Sequence, residues 1–209
     1  MISKLKGLYA ITDSTLMPDD ATLLESVEQA IDGGAGIIQY RDKSADSAKR
    51  LRQAIALNKL CRDNDTLFIV NDDTELALAS MAHGVHLGQK DGNLLAARQR
   101  LGNNAIIGVT CHDQLQLAKT AEALGANYVA LGAFFPSKTK PNATSAPLSL
   151  IAQVRLEVSC PIVAIGGITV DNAHQIINAG ADMVAVIHAL FSAPSIRQQA
   201  LNFSELFNR

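Results

Sequence analysis

Short apolar runs rich in β-branched and large aliphatic residues recur along the chain at 8–11, 36–40, 67–70, 85–87, 105–109, 128–131, 162–165 and 183–187. Each has the length and composition of a strand. Between them the apolar positions change to helical spacing, as in Leu23, Val27, Ala30 and Ile31 or Leu115, Leu117, Ala121 and Leu124, and several of these segments close on a glycine such as Gly33 or Gly125. Glycines also precede strands at 33–36, 125–127 and 180–182, where a helix must stop and reverse. Every interval between strand starts leaves room for a crossover helix, so the strands are expected to run parallel. Eight strand–helix units in one chain favour a closed (β/α)8 TIM barrel of the α/β class, one domain over residues 1–209, with an open doubly wound sheet as the structural alternative.

Composition narrows the partners. The chain has 209 residues, 48% of them apolar, and a formal net charge of −2, which gives no global field to draw in nucleic acid or an anionic membrane. With 4% aromatics and no tryptophan there is no stacking platform for single strands. No apolar run approaches the ~18 residues of a membrane helix. The segment after Lys4 and Lys6 stops at Thr12 and Asp13, too soon for a signal-peptide core, so a cytoplasmic location is expected. Cys61, Cys111 and Cys160 lie far apart with no Cys-x-x-Cys pair and read as reduced core thiols. An apolar face on the outer helices could receive a partner subunit, and a homodimer would be ordinary.

In a barrel the C-terminal strand ends form one rim, and chemistry belongs there. The second strand ends in Gln39-Tyr40-Arg41-Asp42-Lys43, the third in Asn71-Asp72-Asp73, the fourth in Gly88-Gln89-Lys90-Asp91 and the fifth in Thr110. The sixth enters a long loop, 132–147, with Ser137-Lys138-Thr139-Lys140; the seventh enters Gly166-Gly167, and the eighth ends at Ile187-His188. Arg41, Lys43 and Lys140 supply cations, Gly167 and the last strand end supply backbone N–H groups, and Ser137 and Thr139 supply hydroxyls, which together equip a rim to hold phosphate. Asp72 and Asp91 suit Mg²⁺, an ion commonly held by one or two carboxylates with water and substrate phosphate.

Each motif also has a plainer reading. Arg41 and Lys43 could be solvated charges. Asp72 with Glu75 matches a helix N-cap with its acidic partner, and Asp91-Gly92 matches a turn. His83 and His86 are spaced as a zinc pair might be, but a strand start would put them on different faces. The long loop reads either as a lid over the site or as a tolerated surface insertion. Convergence of the motifs on one rim favours the functional readings.

Taken in order with Ala164-Ile165-Gly166-Gly167-Ile168, these motifs resemble the thiamine-phosphate synthase family over nearly the whole chain. The resemblance implies a transferase that joins 4-amino-2-methyl-5-(diphosphooxymethyl)pyrimidine to 4-methyl-5-(2-phosphooxyethyl)thiazole, releasing pyrophosphate. It implies that Gln39, Tyr40, Arg41, Asp42, Lys43, Asn71, Thr110 and Lys140 hold the pyrimidine diphosphate, with Arg41, Lys43 and Lys140 acting on the leaving group. Asp72 and Asp91 would bind Mg²⁺. Ser137, Lys138, Thr139, Gly167, Ile187 and His188 would hold the thiazole phosphate. Ser137 stands where the family usually has Thr, and Thr110 where Ser is commoner, both keeping a hydroxyl; His188 replaces a small Ser.

The attacking thiazole nitrogen carries no hydrogen, so no general base is required, and dissociative substitution assisted by Mg²⁺ is the expected course. Thiazole tautomerase relatives share the strand-seven glycines but lack the paired acids and carry a His just after the strand-six glycine, where this chain has Ala133. A catalytically silent phosphate-binding barrel is the alternative from outside enzymology; loss of the metal acids or the loop lysine would mark it, and neither is lost.

Overall fold

The apolar runs are unbroken because each strand is buried on both faces, one toward the barrel axis and one toward the helices. A computed structural model describes residues 2–136 and 145–208. A short 3-10 turn, Ile2–Lys4, leads into β1 (Gly7–Ile11), and then strands and helices alternate: α1 (Asp20–Asp32), β2 (Ile37–Tyr40), α2 (Ser47–Asp63), β3 (Leu67–Asn71), α3 (Thr74–Ala79), β4 (Gly84–Leu87) and α4 (Leu94–Leu101). The second half repeats the pattern with β5 (Ile106–His112), α5 (Leu115–Ala123), β6 (Tyr128–Gly132), α6 (Ser149–Glu157), β7 (Ile162–Ile165), α7 (Val170–Asn178), β8 (Met183–Val186), α8 (His188–Phe191) and α9 (Ile196–Glu205). The strands pair in parallel in chain order, and β8 returns to β1 with Gly7 opposite Met183 and Tyr9 opposite Ala185, closing a (β/α)8 barrel. The open doubly wound sheet is thereby excluded.

Two apolar cores follow from strand alternation. The inner one stacks Tyr9, Ile37, Ile69, Ile106, Tyr128, Val163, Met183 and their neighbours along the axis. The outer one places residues such as Ile38, Phe68, Val129 and Val184 against the helices. α1 shows how a helix meets that layer: Leu23, Ser26, Val27 and Ala30 are its buried positions, one stripe at helical spacing. Its end shows two different uses of glycine. Gly33 has an ordinary φ of −85°, but a Cβ there would lie 2.4 Å from Ala200 Cβ, so glycine is needed for close approach to α9. The reversal itself falls on Gly34, at φ +97°.

Among the described residues no helix is long and apolar enough to cross a membrane. The three cysteines are free, as expected, and burial pushes the thiols of Cys61 and Cys111 up to about 12, so they are inert packing groups.

Candidate functional site

Inward-facing positions are apolar through most of the barrel and turn polar near its C-terminal mouth. Gln39 on β2, Asn71 on β3, His86 on β4 and Thr110 on β5 come from four adjacent strands. Beneath them two tyrosines from opposite sides of the barrel meet: Tyr9 Oη lies 2.8 Å from Tyr128 Oη, with the rings edge to face. Gln39 Nε2 donates to Tyr9 Oη at 2.7 Å. The His86 ring stacks on Tyr128, with Nδ1 3.0 Å from the Tyr128 hydroxyl and Nε2 2.8 Å from Thr110 Oγ1. A register shift after Thr110 bends β5 at this point.

Tyr9 and Tyr128 were not singled out from the sequence, and His86 was weighed only with His83 as a zinc spacing. The one usable signal was a tyrosine or histidine at an inward parity position, and that parity is hidden when both strand faces are apolar. The zinc reading of His83 and His86 fails. Both ring nitrogens of His86 are engaged, while His83 Nδ1 accepts from the Phe68 N–H at 3.0 Å. Among the described residues no set of three histidine, cysteine or carboxylate side chains is grouped for a metal.

Beside this polar layer lies a cavity of about 450 Å³, lined among others by Lys43, Ser44, Arg50, Asn71, Asp72 and Asp91. Asp72 adopts a left-handed φ of +62°, tolerated best by Asp and Asn among residues with a side chain. Its backbone N–H donates to His86 O at 2.7 Å, and its carboxylate accepts from Asn71 Nδ2 at 2.6 Å and pairs with Lys43. The helix cap falls on the next residue: Asp73 accepts from the Leu76 N–H at 2.9 Å. Asp72 is therefore released from the N-cap role the sequence allowed. Asn93 caps α4, and Asp91 closes the turn its sequence suggested, its N–H donating to Gly88 O at 3.2 Å, which leaves its carboxylate free of any cap. A Cβ on Gly88 would lie 2.2 Å from Asp91 Oδ2 and 3.8 Å from Asp72 Oδ1; the two carboxylates thus converge on space that only glycine leaves open.

Strand alternation splits the 39–43 segment. Gln39 faces the axis and Lys43 reaches Asp72, but Tyr40 and Asp42 turn their side chains toward the helices. Tyr40 Oη donates to Gln53 Oε1 at 2.7 Å, and buried Asp42 accepts from the Ser44 N–H at 2.7 Å and pairs with Lys49 at 3.0 Å. Arg41 anchors to the residue just after β1 through its backbone N–H, which donates to Thr12 Oγ1 at 2.9 Å. Near it lies Asp13, a rim carboxylate that the sequence reading passed over. Burial alone would raise its pKa, but hydrogen bonds from Thr15, with His188 and Arg41 nearby, hold it below the usual range.

On the far side of the mouth Gly166 and Gly167 take φ of +104° and +62°, and the Gly167 N–H makes no hydrogen bond among the described residues. Ile187 packs on the inner core and immediately precedes α8, where the His188 ring lies 3.3 Å from Ser192 Oγ of its own helix. Ser137, Lys138, Thr139 and Lys140 lie outside the described residues, as does most of the loop expected to act as a lid.

The buried histidine makes stability depend on pH. Burial depresses His86 to about 4, against roughly 6.5 when unfolded. Below pH 6.5 the unfolded chain takes up a proton the folded chain refuses, so stability falls from pH 6.5 downward and levels off near pH 4. The total loss is of the order of 3 kcal/mol. His83, lowered chiefly by burial, acts in the same direction. Thermal melts between pH 7 and 5 should show a falling Tm in the wild type and a shallower slope in His86→Phe; equal slopes would contradict the burial of a neutral ring.

Known proteins place this architecture. The family model for thiamine monophosphate synthase matches residues 8–190. The solved thiamine phosphate pyrophosphorylase from Pyrococcus furiosus is 36% identical, with a TM-score of 0.89 over 99% of this chain and 97% of that one. At lower identity the likeness is one of fold alone. A thiamine phosphate pyrophosphorylase from Bacteroides thetaiotaomicron is 13% identical, with a TM-score of 0.71 over 97% of this chain and 98% of that one. The (S)-3-O-geranylgeranylglyceryl phosphate synthase from Thermoplasma acidophilum is 15% identical, with a TM-score of 0.73 over 99% and 96%. The match of the family model across most of the barrel, together with the 36% identity, shows that the chain belongs to the thiamine monophosphate synthase family.

Proposed function

We propose that the chain condenses 4-amino-2-methyl-5-(diphosphooxymethyl)pyrimidine with 4-methyl-5-(2-phosphooxyethyl)thiazole to give thiamine monophosphate and pyrophosphate. The observation that carries this reading is the convergence of Asp72 and Asp91 over Gly88, beside a polar-lined barrel mouth. An all-oxygen pair of carboxylates with open space between them suits Mg²⁺ completed by water and diphosphate. Bound there, Mg²⁺ would supply positive charge to the departing pyrophosphate.

The chain's own residues do the rest. Arg41 and Lys43 extend that positive field, and Lys140 joins them by family resemblance. Gln39, Asn71 and Thr110 hold the pyrimidine end. Tyr40 and Asp42, whose side chains face α2, support the segment that carries Arg41 and Lys43. The Gly167 N–H, with Ile187, His188 and the 137–139 stretch, takes the thiazole phosphate. No residue is needed to remove a proton, because the attacking nitrogen has none, which agrees with a mouth whose buried histidine is fully occupied by two hydroxyls.

The decisive assay follows thiamine monophosphate from the two phosphorylated substrates, with Mg²⁺ and again with excess chelator. Product in the presence of metal, abolished by chelation and restored by added Mg²⁺, is the expected result. Folded protein that forms no product in either case would point instead to a thiazole tautomerase or a silent binder.

A further inference from the structure

Hydrogen-bond accounting inside the barrel fixes the direction of a five-residue chain. Gln39 Nε2 is a donor and gives its hydrogen to Tyr9 Oη. Tyr9 is buried, and among the described residues its remaining partner is the Tyr128 hydroxyl. The Tyr9 hydrogen must go there, or it stays unbonded in an apolar interior. Tyr128 has then accepted one hydrogen bond and has one hydrogen to give, for which His86 Nδ1 at 3.0 Å is the available acceptor. An Nδ1 that accepts carries no proton, so the neutral ring is protonated on Nε2 and donates to Thr110 Oγ1 at 2.8 Å. With Gln39 Nε2 as the donor, reversing any later link leaves a buried hydroxyl hydrogen without a partner.

The far end of the chain is where this matters. Thr110 Oγ1 receives the His86 proton, and no acceptor among the described residues takes the hydroxyl's own hydrogen. Thr110 is only half-buried and stands at the mouth, after the residues that fill the barrel. We infer that His86 is a positioning residue, which fixes the Thr110 hydroxyl as a hydrogen-bond donor toward the ligand and thereby favours a ligand with an unprotonated ring nitrogen at that point. For the identity of the ligand this rests on the pyrimidine reading above; the proton order does not.

The test uses the wild-type protein labelled with ¹⁵N-histidine, its His86 resonances identified by their loss in His86→Phe. The expected spectrum shows a neutral ring with a pyridine-like Nδ1 and a protonated Nε2. A proton on Nδ1 overturns the inference without reference to any reaction. In the synthase assay, His86→Phe should raise KM for the pyrimidine diphosphate about tenfold, the loss of one hydrogen bond, and leave KM for the thiazole phosphate unchanged. His86→Gln, whose amide can still donate to Thr110, should recover most of that. Thr110→Val should cost tenfold in the wild type and almost nothing further in His86→Phe; equal costs in both backgrounds would make His86 merely structural and overturn the role. If Nε2 carries the proton but the folded protein makes no thiamine monophosphate, the pyrimidine reading fails, and with it the proposed role of His86, while the proton order stands.

Discussion

Asp91→Ala should lower kcat by about two to three powers of ten at a Mg²⁺ concentration that saturates the wild type, the scale of losing one preorganised electrostatic contact to a departing anion. Its effect on stability should be small, within about 0.5 kcal/mol, because Asp91 is exposed, forms no ion pair among the described residues and caps no helix. Raising Mg²⁺ should recover part of the activity, since Asp72 and substrate phosphate still offer oxygen ligands. Thermal melts and initial rates at several Mg²⁺ concentrations check all three statements. Full activity at limiting Mg²⁺ would remove Asp91 from the metal site. A rate loss accompanied by a large fall in Tm would instead mean that the carboxylate serves the β4–α4 turn.

The same contrast holds along the third strand end. Asp72 and Asp73 are neighbours in sequence, yet Asp73 caps a helix while the Asp72 carboxylate is left to pair with Lys43. The spacing from Asp72 to Glu75 resembled a cap because capping motifs are read three residues apart, and the actual cap, Asp73, has its own contact three residues on, to Leu76. The Lys43–Asp72 pair has a lysine side chain that is 56% exposed, so it adds little to stability. On the proposed function it holds a cation beside the place of the diphosphate.

How much was legible in the sequence depended on the range of the interaction. Strand positions came through because each run of Val, Ile and Leu is buried on both faces; the fifth strand ran longer than its apolar core, since Thr110 to His112 continue it through a bulge. The rim motifs were visible because polar residues interrupt apolar runs at strand ends. Which of those side chains face the axis was not visible. Tyr40 and Asp42 sit between Gln39, Arg41 and Lys43, and only the pleat, fixed by pairing with β3, sends them to the helix side. The tyrosine pair was the least accessible feature. Tyr9 and Tyr128 are 119 positions apart and meet only because the barrel closes.

Gly108 is the residue on which that meeting depends. It lies on β5 opposite Tyr128 of β6, and a Cβ built on it would lie 1.9 Å from Tyr128 Cζ and 2.4 Å from its hydroxyl oxygen. The ring cannot swing aside cheaply, because it is fully buried, stacks on His86 and is hydrogen-bonded to Tyr9. Gly108→Ala should therefore act as an overpacking substitution, destabilising the barrel by about 3 kcal/mol. For a chain of this size that corresponds to a Tm lower by roughly 6–12 °C. Gly108 has no positive φ among the glycines that do, so the loss would report sterics and not backbone strain. The companion measurement is Gly108→Ala combined with Tyr128→Phe, which removes the clashing hydroxyl oxygen but leaves the ring carbons in the way. Stability should stay low in the double variant. An unchanged Tm in Gly108→Ala would mean that the Tyr128 ring is free to move, and the ordered path from Gln39 to Thr110 would lose its fixed centre.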